Sequence, residues 1–162
     1  MSDGPRIRDA SQRDGPAVAG IWTEAYFTEG EGGRTAPYAE AEFAETARIG
    51  RVLVAERKGE AVGVVALIAP EMPGRAVAQA GEAELARLAV AAAARRLGIG
   101  RALARRCEEI ARAAGWDAIA LWSRPYQVGG HRLYESLGYE RVPERDSIDE
   151  TGFERIVFRL AL

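Results

Sequence analysis

The chain has 162 residues, the length of a single domain with a sizeable hydrophobic core. Hydrophobic residues make up 48% and charged residues 28% of it, a balance that excludes a disordered chain and a collagen-like repeat. The formal net charge of −2 and the lack of an apolar run of about 18 residues argue against nucleic-acid and membrane partners. The single cysteine, Cys107, excludes an intramolecular disulfide and a cysteine-based zinc cluster, so we predict no metal site.

The first half of the chain predicts a strand, two helices and a hairpin. Residues 6–10 predict a strand, and apolar residues at helical spacing predict a helix after it and a second helix over residues 38–49. The intervening stretch 28–37 contains three glycines and a proline, so it predicts a loop. Two valine-rich stretches, 51–56 and 62–68, flank a tight turn and predict an antiparallel hairpin.

The second half contains the clearest helix, over residues 99–114. Leu103, Cys107, Ile110 and Ala114 form one apolar stripe along it, so we interpret Cys107 as a packing residue and not as a nucleophile.

After this helix, predicted strands and a further helix follow one another to the end of the chain. Residues 117–123 predict a strand, residues 130–137 a short helix, and residues 139–145 and 153–160 two more strands. Alternating strands and helices predict an α/β fold in which helices cover both faces of a mixed sheet. With no internal repeat or long linker, we predict one domain over residues 1–162, and the polar first ten residues predict a cytoplasmic location.

The segment 95–106 (RRLGIGRALARR) contains five arginines and no acidic residue. A helix that begins near Gly98 or Gly100 lacks the usual Ser, Thr, Asp or Asn cap and places Arg101 in its first turn. Unpaired N–H groups beside glycines and arginines suit a bound phosphate, although a water-capped helix start explains the same residues equally well. Leu103 replaces a glycine of the dinucleotide-binding fingerprint, and no Walker lysine is present.

The pattern Arg95-x-x-Gly98-x-Gly100 resembles the acetyl-CoA motif Q/R-x-x-G-x-G/A of the GCN5-related N-acetyltransferases. In that family a strand ends just before this loop. The resemblance therefore favours a strand over residues 82–90, whose alanine, glutamate and leucine content would otherwise favour helix.

A second motif of this family resembles Leu133-Tyr134-x-x-x-Gly138-Tyr139. The family often has an asparagine upstream of this motif, where the present chain has Gln127, which carries the same amide on a longer stem. The two motifs occur in the family's order, and the resemblance covers nearly the whole chain.

The resemblance implies both a fold and a co-substrate. The fold is a three-layer α-β-α arrangement with a mixed, mostly antiparallel sheet of six to seven strands, splayed between the fourth and fifth. The implied co-substrate is acetyl-CoA, with its pantetheine arm along the fourth strand and its pyrophosphate on the following helix start. The implied cofactor-binding residues are Leu88, Ala89, Val90, Arg95, Arg96, Gly98, Ile99, Gly100, Arg101 and Gln127.

The resemblance also implies catalytic residues. Tyr134 would be the acid that protonates the leaving thiolate, and the alternative is a core aromatic whose hydroxyl bonds the backbone. Glu84 would be the base, acting through a water, with Glu82 in reserve. The alternative for Glu84 is a solvent-facing carboxylate that attracts a cationic substrate.

The implied activity is acetyl transfer from acetyl-CoA to a primary amine of a small molecule or peptide, by direct attack in a ternary complex. The alternatives are a non-catalytic CoA-binding or sensing module and an enzyme that uses another acyl-CoA. Acidic residues in the predicted loops 27–37, 70–81 and 146–152 suit a cationic acceptor, or they serve solubility alone. The exposed final strands leave a homodimer open.

Overall fold

A twisted sheet runs through the centre of the protein, in a computed structural model that describes residues 4–27 and 34–162. The strands of this part are β1 (Arg6–Asp9), β2 (Arg51–Arg57), β3 (Glu60–Ile68), β4 (Glu82–Val90), β5 (Ala118–Ser123), β6 (Glu140–Arg141), β7 (Ser147–Ile148) and β8 (Glu154–Ala161). Its α-helices are α1 (Gly15–Tyr26), α2 (Glu40–Ile49), α3 (Ile99–Ala113) and α4 (Val128–Ser136).

The strand order is β1-β2-β3-β4-β5-β8-β6, and β7 pairs with β8 beside this path. The β4–β5 pair is parallel, and the other pairs are antiparallel. This confirms the mixed, mostly antiparallel sheet, with one short strand more than the six to seven predicted.

Helices cover both faces of the sheet, because successive side chains of each strand point to opposite faces. On one face, Val52 and Val54 of β2 pack with Val18 and Trp22 of α1 and with Phe43 of α2. On the other face, the alternate β2 residues belong to a second core cluster with α3, whose members include Leu53, Ala55, Leu103, Cys107 and Ala111. These two clusters confirm the three-layer arrangement.

The hairpin between β2 and β3 is also confirmed. Lys58 and Gly59 at its turn have φ of 51° and 81°, the left-handed pair that matches the twist of the flanking strands. Within the described residues, no helix is both long and apolar enough to cross a bilayer.

The predicted strand over residues 139–145 is wrong beyond Arg141. Pro143 has no N–H group and begins a short 3₁₀ turn, Pro143–Arg145, so β6 ends after two residues. The short helix α4 begins two residues earlier than predicted, at Val128. The helix predicted from residue 38 begins at Glu40, where the Glu42 carboxylate accepts the N–H of Ala39 at 2.8 Å.

Candidate active site

The two central strands β4 and β5 separate to form a wedge. Their parallel pairing covers only three residue pairs, from Glu82 with Ala118 to Glu84 with Ala120. Further along β4, Arg87 and Leu88 lie opposite the single β3 residue Val65, and Arg87 has a φ of 53°. Such a bulge bends and twists a strand, so it carries the second half of β4 away from β5. The predicted splay is confirmed.

Two aromatic residues of α1 fix this bulge. The Trp22 indole N–H donates to the Arg87 carbonyl at 3.0 Å, and the Tyr26 hydroxyl donates to the Leu88 carbonyl. Both carbonyls thereby gain a partner although the bulge removes them from the regular β3–β4 ladder. Both hydrogen bonds join α1 to a strand more than 60 residues away in sequence, so neither could be predicted from the local pattern.

Beyond the bulge, one β4 residue turns its backbone groups towards the wedge. The Ala91 N–H donates to the Val62 carbonyl at 2.9 Å. Because hydrogen-bonded and non-hydrogen-bonded pairs alternate in an antiparallel ladder, the next pair, Gly63 with Val90, is non-hydrogen-bonded. The N–H and C=O of Val90 therefore face away from β3, whereas Ala89 is engaged with β3.

The start of α3 is uncapped, as predicted. Its N-cap, Gly98, has a φ of 76°, no side chain caps it, and its first turn contains no acidic residue. The first helical hydrogen bond runs from the Ala102 N–H to the Gly98 carbonyl at 3.0 Å. The N–H groups of the three preceding residues, 99–101, therefore have no helical acceptor.

The neighbouring side chains fit an anion at this helix start. Arg95 and Arg96 are exposed there, and neither has an ion-pair partner among the described residues. Arg101 donates to Ser136 Oγ on α4 at 2.7 Å. At Gly100 a Cβ would lie 3.2 Å from Leu133 Cδ2, so this glycine lets α4 pack closely against the start of α3.

A cavity of about 360 Å³ occupies the wedge. It is lined by residues of α1, α2, β3, β4, β5, α4 and β8. The cavity brings together four of the predicted site residues, Tyr134, Glu84, Leu88 and Gln127, whereas the α3-start residues, Ala89 and Val90 do not line it.

Tyr134 is held by its ring while its hydroxyl stays uncommitted. The ring centroid lies 5.8 Å from that of Tyr139 and 5.9 Å from that of Phe158. Among the described residues the hydroxyl has no hydrogen-bond partner, so the alternative of a hydroxyl bonded to backbone is not observed. Burial, together with the nearby Cys107, raises the pKa of Tyr134 above its ordinary value of 10.0, so the hydroxyl stays protonated.

Glu84 is 2% exposed, which contradicts the alternative of a solvent-facing carboxylate. Its carboxylate accepts the backbone N–H groups of Ala76, Val77 and Ala78 at 3.0, 2.8 and 2.9 Å. It therefore fixes this loop against the cavity, a role that the sequence did not indicate.

Glu82 is unsuited to the reserve role of base. It does not line the cavity, and it binds Arg145 at 2.7 Å and Arg159 at 2.6 Å. Burial raises its pKa, but the hydrogen bonds from both arginines and from the Gln79 N–H outweigh burial and lower the pKa to about 2.

Gln127 closes the turn between β5 and α4. Its Oε1 accepts the Ser123 hydroxyl at 2.8 Å and the Arg124 N–H at 2.9 Å. His131 Nε2 lies 3.0 Å from the Arg124 carbonyl, which can only accept, so that nitrogen carries the proton. Ser123 Oγ, 3.2 Å from the same nitrogen, is therefore not activated as a nucleophile.

Cys107 is not activated either. Burial, aided by the nearby Glu108, raises the pKa of its thiol to about 12, which agrees with its interpretation as a packing residue. In the part of the chain that the structure describes, no group of three or more His, Cys, Asp or Glu side chains could hold a metal ion.

Comparison with known proteins identifies the family of the chain. The model of the acetyltransferase (GNAT) family matches residues 16–139. The chain belongs to this family.

The chain is 34% identical over 102 residues to N-acetylaspartate synthetase of Danio rerio, a match that covers 63% of this chain and 34% of that protein. N-acetyltransferase family 8 member 3 of Rattus norvegicus is 32% identical over 91 residues, or 56% of this chain and 39% of that protein. The chain therefore spans only about a third of the length of these relatives.

Solved structures of acetyltransferases share the fold of this chain. Ribosomal-protein-alanine N-acetyltransferase from Brucella melitensis has a TM-score of 0.75 at 23% identity, with 97% of this chain and 99% of that chain covered. A phosphinothricin acetyltransferase from Sinorhizobium meliloti, solved with acetyl-CoA, has a TM-score of 0.77 at 20% identity, with 98% and 89% covered. At these identities the likeness shows the fold alone.

The sequence missed the side chains that give this acetyltransferase-family cavity its charge. Four arginines line it, Arg34, Arg87, Arg124 and Arg155. The loop acids that the structure describes do not line it. Asp146, Asp149 and Glu150 are instead ion-paired with Arg141, Arg124 and Arg155, and Glu29 and Glu31 lie outside the described residues.

Proposed function

We propose that this protein is an N-acetyltransferase that moves the acetyl group of acetyl-CoA to a primary amine by direct attack in a ternary complex. The observation that carries the proposal is the wedge between β4 and β5, with the Val90 backbone groups that face away from β3 on one side and an uncapped helix start at its end. Along the chain, the β4 residues that line the cavity are followed by Val90 and then by the α3 start, the order that the thioester, pantetheine arm and pyrophosphate of one carrier would need.

The co-substrate would be bound mainly by backbone groups. Val90, flanked by Leu88 and Ala89, offers its N–H and its C=O to the amide groups of the pantetheine arm. The C=O accepts Arg95 Nε at 3.4 Å, a contact that a pantetheine N–H would replace. The N–H groups of Ile99, Gly100 and Arg101 suit the pyrophosphate, since a helix N-terminus combines free donors with the positive end of the dipole. Arg95 and Arg96 add charge beside Gly98, and Gln127 borders the cavity.

Bound acetyl-CoA supplies an activated acetyl group: the amine nitrogen forms the new C–N bond while the C–S bond breaks, and CoA leaves as a thiolate. Tyr134 donates a hydrogen bond to the developing negative charge. Because its pKa is raised above 10.0, far above about 8.5 for an ordinary thiol, Tyr134 stabilises the thiolate as a donor and keeps its own proton.

Glu84 would accept the proton that the acceptor nitrogen loses, through an intervening water. A carboxylate has about four lone-pair directions, and three of those on Glu84 are taken by backbone N–H groups. The fourth can hold that water, so Glu84 combines a positioning role for the loop with a weak basic one.

The decisive experiment measures binding and turnover separately. Acetyl-CoA at about 100 times its dissociation constant should stabilise the protein by roughly 2.7 kcal/mol in thermal denaturation. Free thiol should then appear when primary amines are added. The double variant Arg95→Gln/Arg96→Gln should weaken the thermal shift, whereas Arg6→Gln, whose side chain is 76% exposed on β1, serves as the matched control.

Each alternative predicts a different result. Stabilisation by acetyl-CoA without thiol release over a broad amine panel would favour a CoA-binding or sensing module. Faster thiol release from propionyl-CoA or succinyl-CoA would identify another acyl donor. No stabilisation at millimolar acetyl-CoA would refute the proposed function.

A further inference from the structure

The cavity in the wedge is strongly basic. Four arginines line it, whereas Glu84 is the one acidic residue among the described lining residues. The Glu84 carboxylate already accepts three backbone N–H groups. The walls therefore carry an excess of positive charge that the fold itself does not neutralise within the cavity.

Two of the four arginines are committed to carboxylates of the protein. Arg124 lies 2.8 Å from Asp149, in a pair with little exposure on either side. Arg34 makes a two-point contact with Glu42. Neither carboxylate lines the cavity, so these pairs hold the walls in place.

The other two arginines are not committed. Arg87 donates to Thr46 Oγ1 at 3.2 Å and forms no ion pair with any carboxylate in residues 4–27 and 34–162. Arg155 lies 3.8 Å from Glu150, whose side chain is 84% exposed, and such an exposed pair contributes little. The buried Arg155 Nε has no hydrogen-bond partner among the described residues, a state that is costly without a ligand or water.

Aromatic rings hold both guanidinium groups in position. Arg87 lies over the Trp22 and Tyr38 rings, 5.0 and 5.4 Å from their centroids. Arg155 lies 5.2 Å from the centroid of Trp122. A cation–π contact holds a guanidinium group without supplying a hydrogen-bond acceptor or a negative charge, so its N–H donors can still bind an anion.

We propose that the acceptor is a small amino acid whose carboxylate is bound by Arg87 from β4 and Arg155 from β8; this assignment rests on the proposed acetyl transfer. Arginine binds carboxylates through two parallel N–H bonds, which fixes the orientation of the acceptor as well as its position. A cavity of about 360 Å³ is in the range of small-molecule sites and favours a free amino acid over a peptide segment.

The same charge assists the chemistry. An ammonium group has no lone pair, so the acceptor must lose a proton before it attacks. Neighbouring positive charges disfavour the ammonium form and lower the pKa of an amine. The basic walls therefore select acceptors that carry a carboxylate, repel polycations and favour the neutral amine.

The test compares matched acceptors at saturating acetyl-CoA, with thiol release as the readout. Each common amino acid is assayed beside its own amide and its decarboxylated amine. Putrescine represents the polyamines, and tripeptides with an acidic N-terminal residue represent peptide acceptors. At least one free amino acid should exceed its own amide in kcat/KM by tenfold or more. Arg87→Gln and Arg155→Gln should each raise the KM of that amino acid by roughly 10- to 100-fold. Both variants should also reduce the difference in kcat/KM between the amino acid and its amide.

The controls separate this inference from the proposed function. Neither variant should change the KM of acetyl-CoA or its thermal shift, Arg87→Lys should recover part of the loss, and Arg6→Gln should behave as wild type. A preference for amides, polyamines or peptides, or acetyl-CoA binding with no amino acid acetylated, would overturn the inference and leave CoA binding standing. An absent thermal shift would refute the proposed function itself.

Discussion

The Tyr26 hydroxyl donates a hydrogen bond to the Leu88 carbonyl and so ties helix α1 to the bulge of β4. The contact joins residues 62 positions apart in sequence. It holds the point at which β4 leaves β5, and hence the opening of the wedge.

Replacing Tyr26 by phenylalanine should therefore destabilise the fold and loosen the wedge. The Leu88 carbonyl would lose its donor, which costs about 1–2 kcal/mol and roughly 2–8 °C in melting temperature. We also expect a weaker thermal shift with acetyl-CoA, because the neighbouring Val90 edge would be less well fixed.

Tyr139→Phe is the matched control for this prediction. The Tyr139 hydroxyl is buried and has no hydrogen-bond partner among the described residues, so its removal should leave the melting temperature unchanged or raise it. An equal decrease in melting temperature for Tyr26→Phe and Tyr139→Phe would contradict the role assigned to the Tyr26 hydroxyl.

The identity of β4 shows what local sequence can and cannot predict. Its alanine, glutamate and leucine content favours helix, and only the resemblance indicated a strand. In the structure it pairs with β3 along its length and with β5 at its start, so tertiary pairing overrides propensity. The β2–β3 hairpin, helix α3 and the uncapped start of α3 were predictable, because turn residues, apolar periodicity and capping residues are all local features of the sequence.

Tyr134→Phe tests the proposed hydrogen-bond donor to the leaving thiolate. Loss of the hydroxyl should lower kcat by about 10- to 1000-fold, as for removal of a donor to developing charge, while the thermal shift with acetyl-CoA persists. Because the raised pKa keeps Tyr134 protonated, the wild-type rate should show no decrease between pH 7 and 10 that the variant lacks. Unchanged kcat in the variant would remove Tyr134 from the mechanism.

The arginines of the cavity could not be predicted because they are far apart in sequence. Arg87 faces the cavity as a result of the bulge, and Arg155 arrives from the last strand, beside Trp122 of β5. In the sequence both are ordinary strand arginines. The loop acids were visible in the sequence, but their arginine partners were not, so the charge of the cavity walls could not be predicted from it.

Glu84→Gln separates the two roles of this carboxylate. An amide presents an NH₂ group to at least one of the three backbone N–H donors, so the variant should lose about 1–3 kcal/mol of stability. Loss of the base should lower kcat by at least about tenfold when measured well below the melting temperature.

Glu82→Gln is its control, since Glu82 lies two residues away but outside the cavity. It should lose stability and keep kcat within about twofold of the wild type, a change too small for the loss of a catalytic group. If Glu84→Gln also kept kcat, the positioning role would remain and the basic role would be wrong.

The ion pairs of Glu82 with Arg145 and Arg159 predict a pH dependence of stability. The pKa of Glu82 is lowered from 4.5 to about 2 in the folded protein. Its contribution to the free energy of unfolding is therefore complete above pH 4.5, the ordinary pKa of a glutamate, and is lost as the pH falls towards 2. A shift of this size corresponds to about 3 kcal/mol at neutral pH.

Urea denaturation measures this contribution. The free energies of unfolding of wild type and Glu82→Gln should differ by up to that amount at pH 7, and the difference should vanish near pH 2. A difference that stays constant from pH 7 to pH 2 would mean that packing, and not the charge of Glu82, provides the stabilisation.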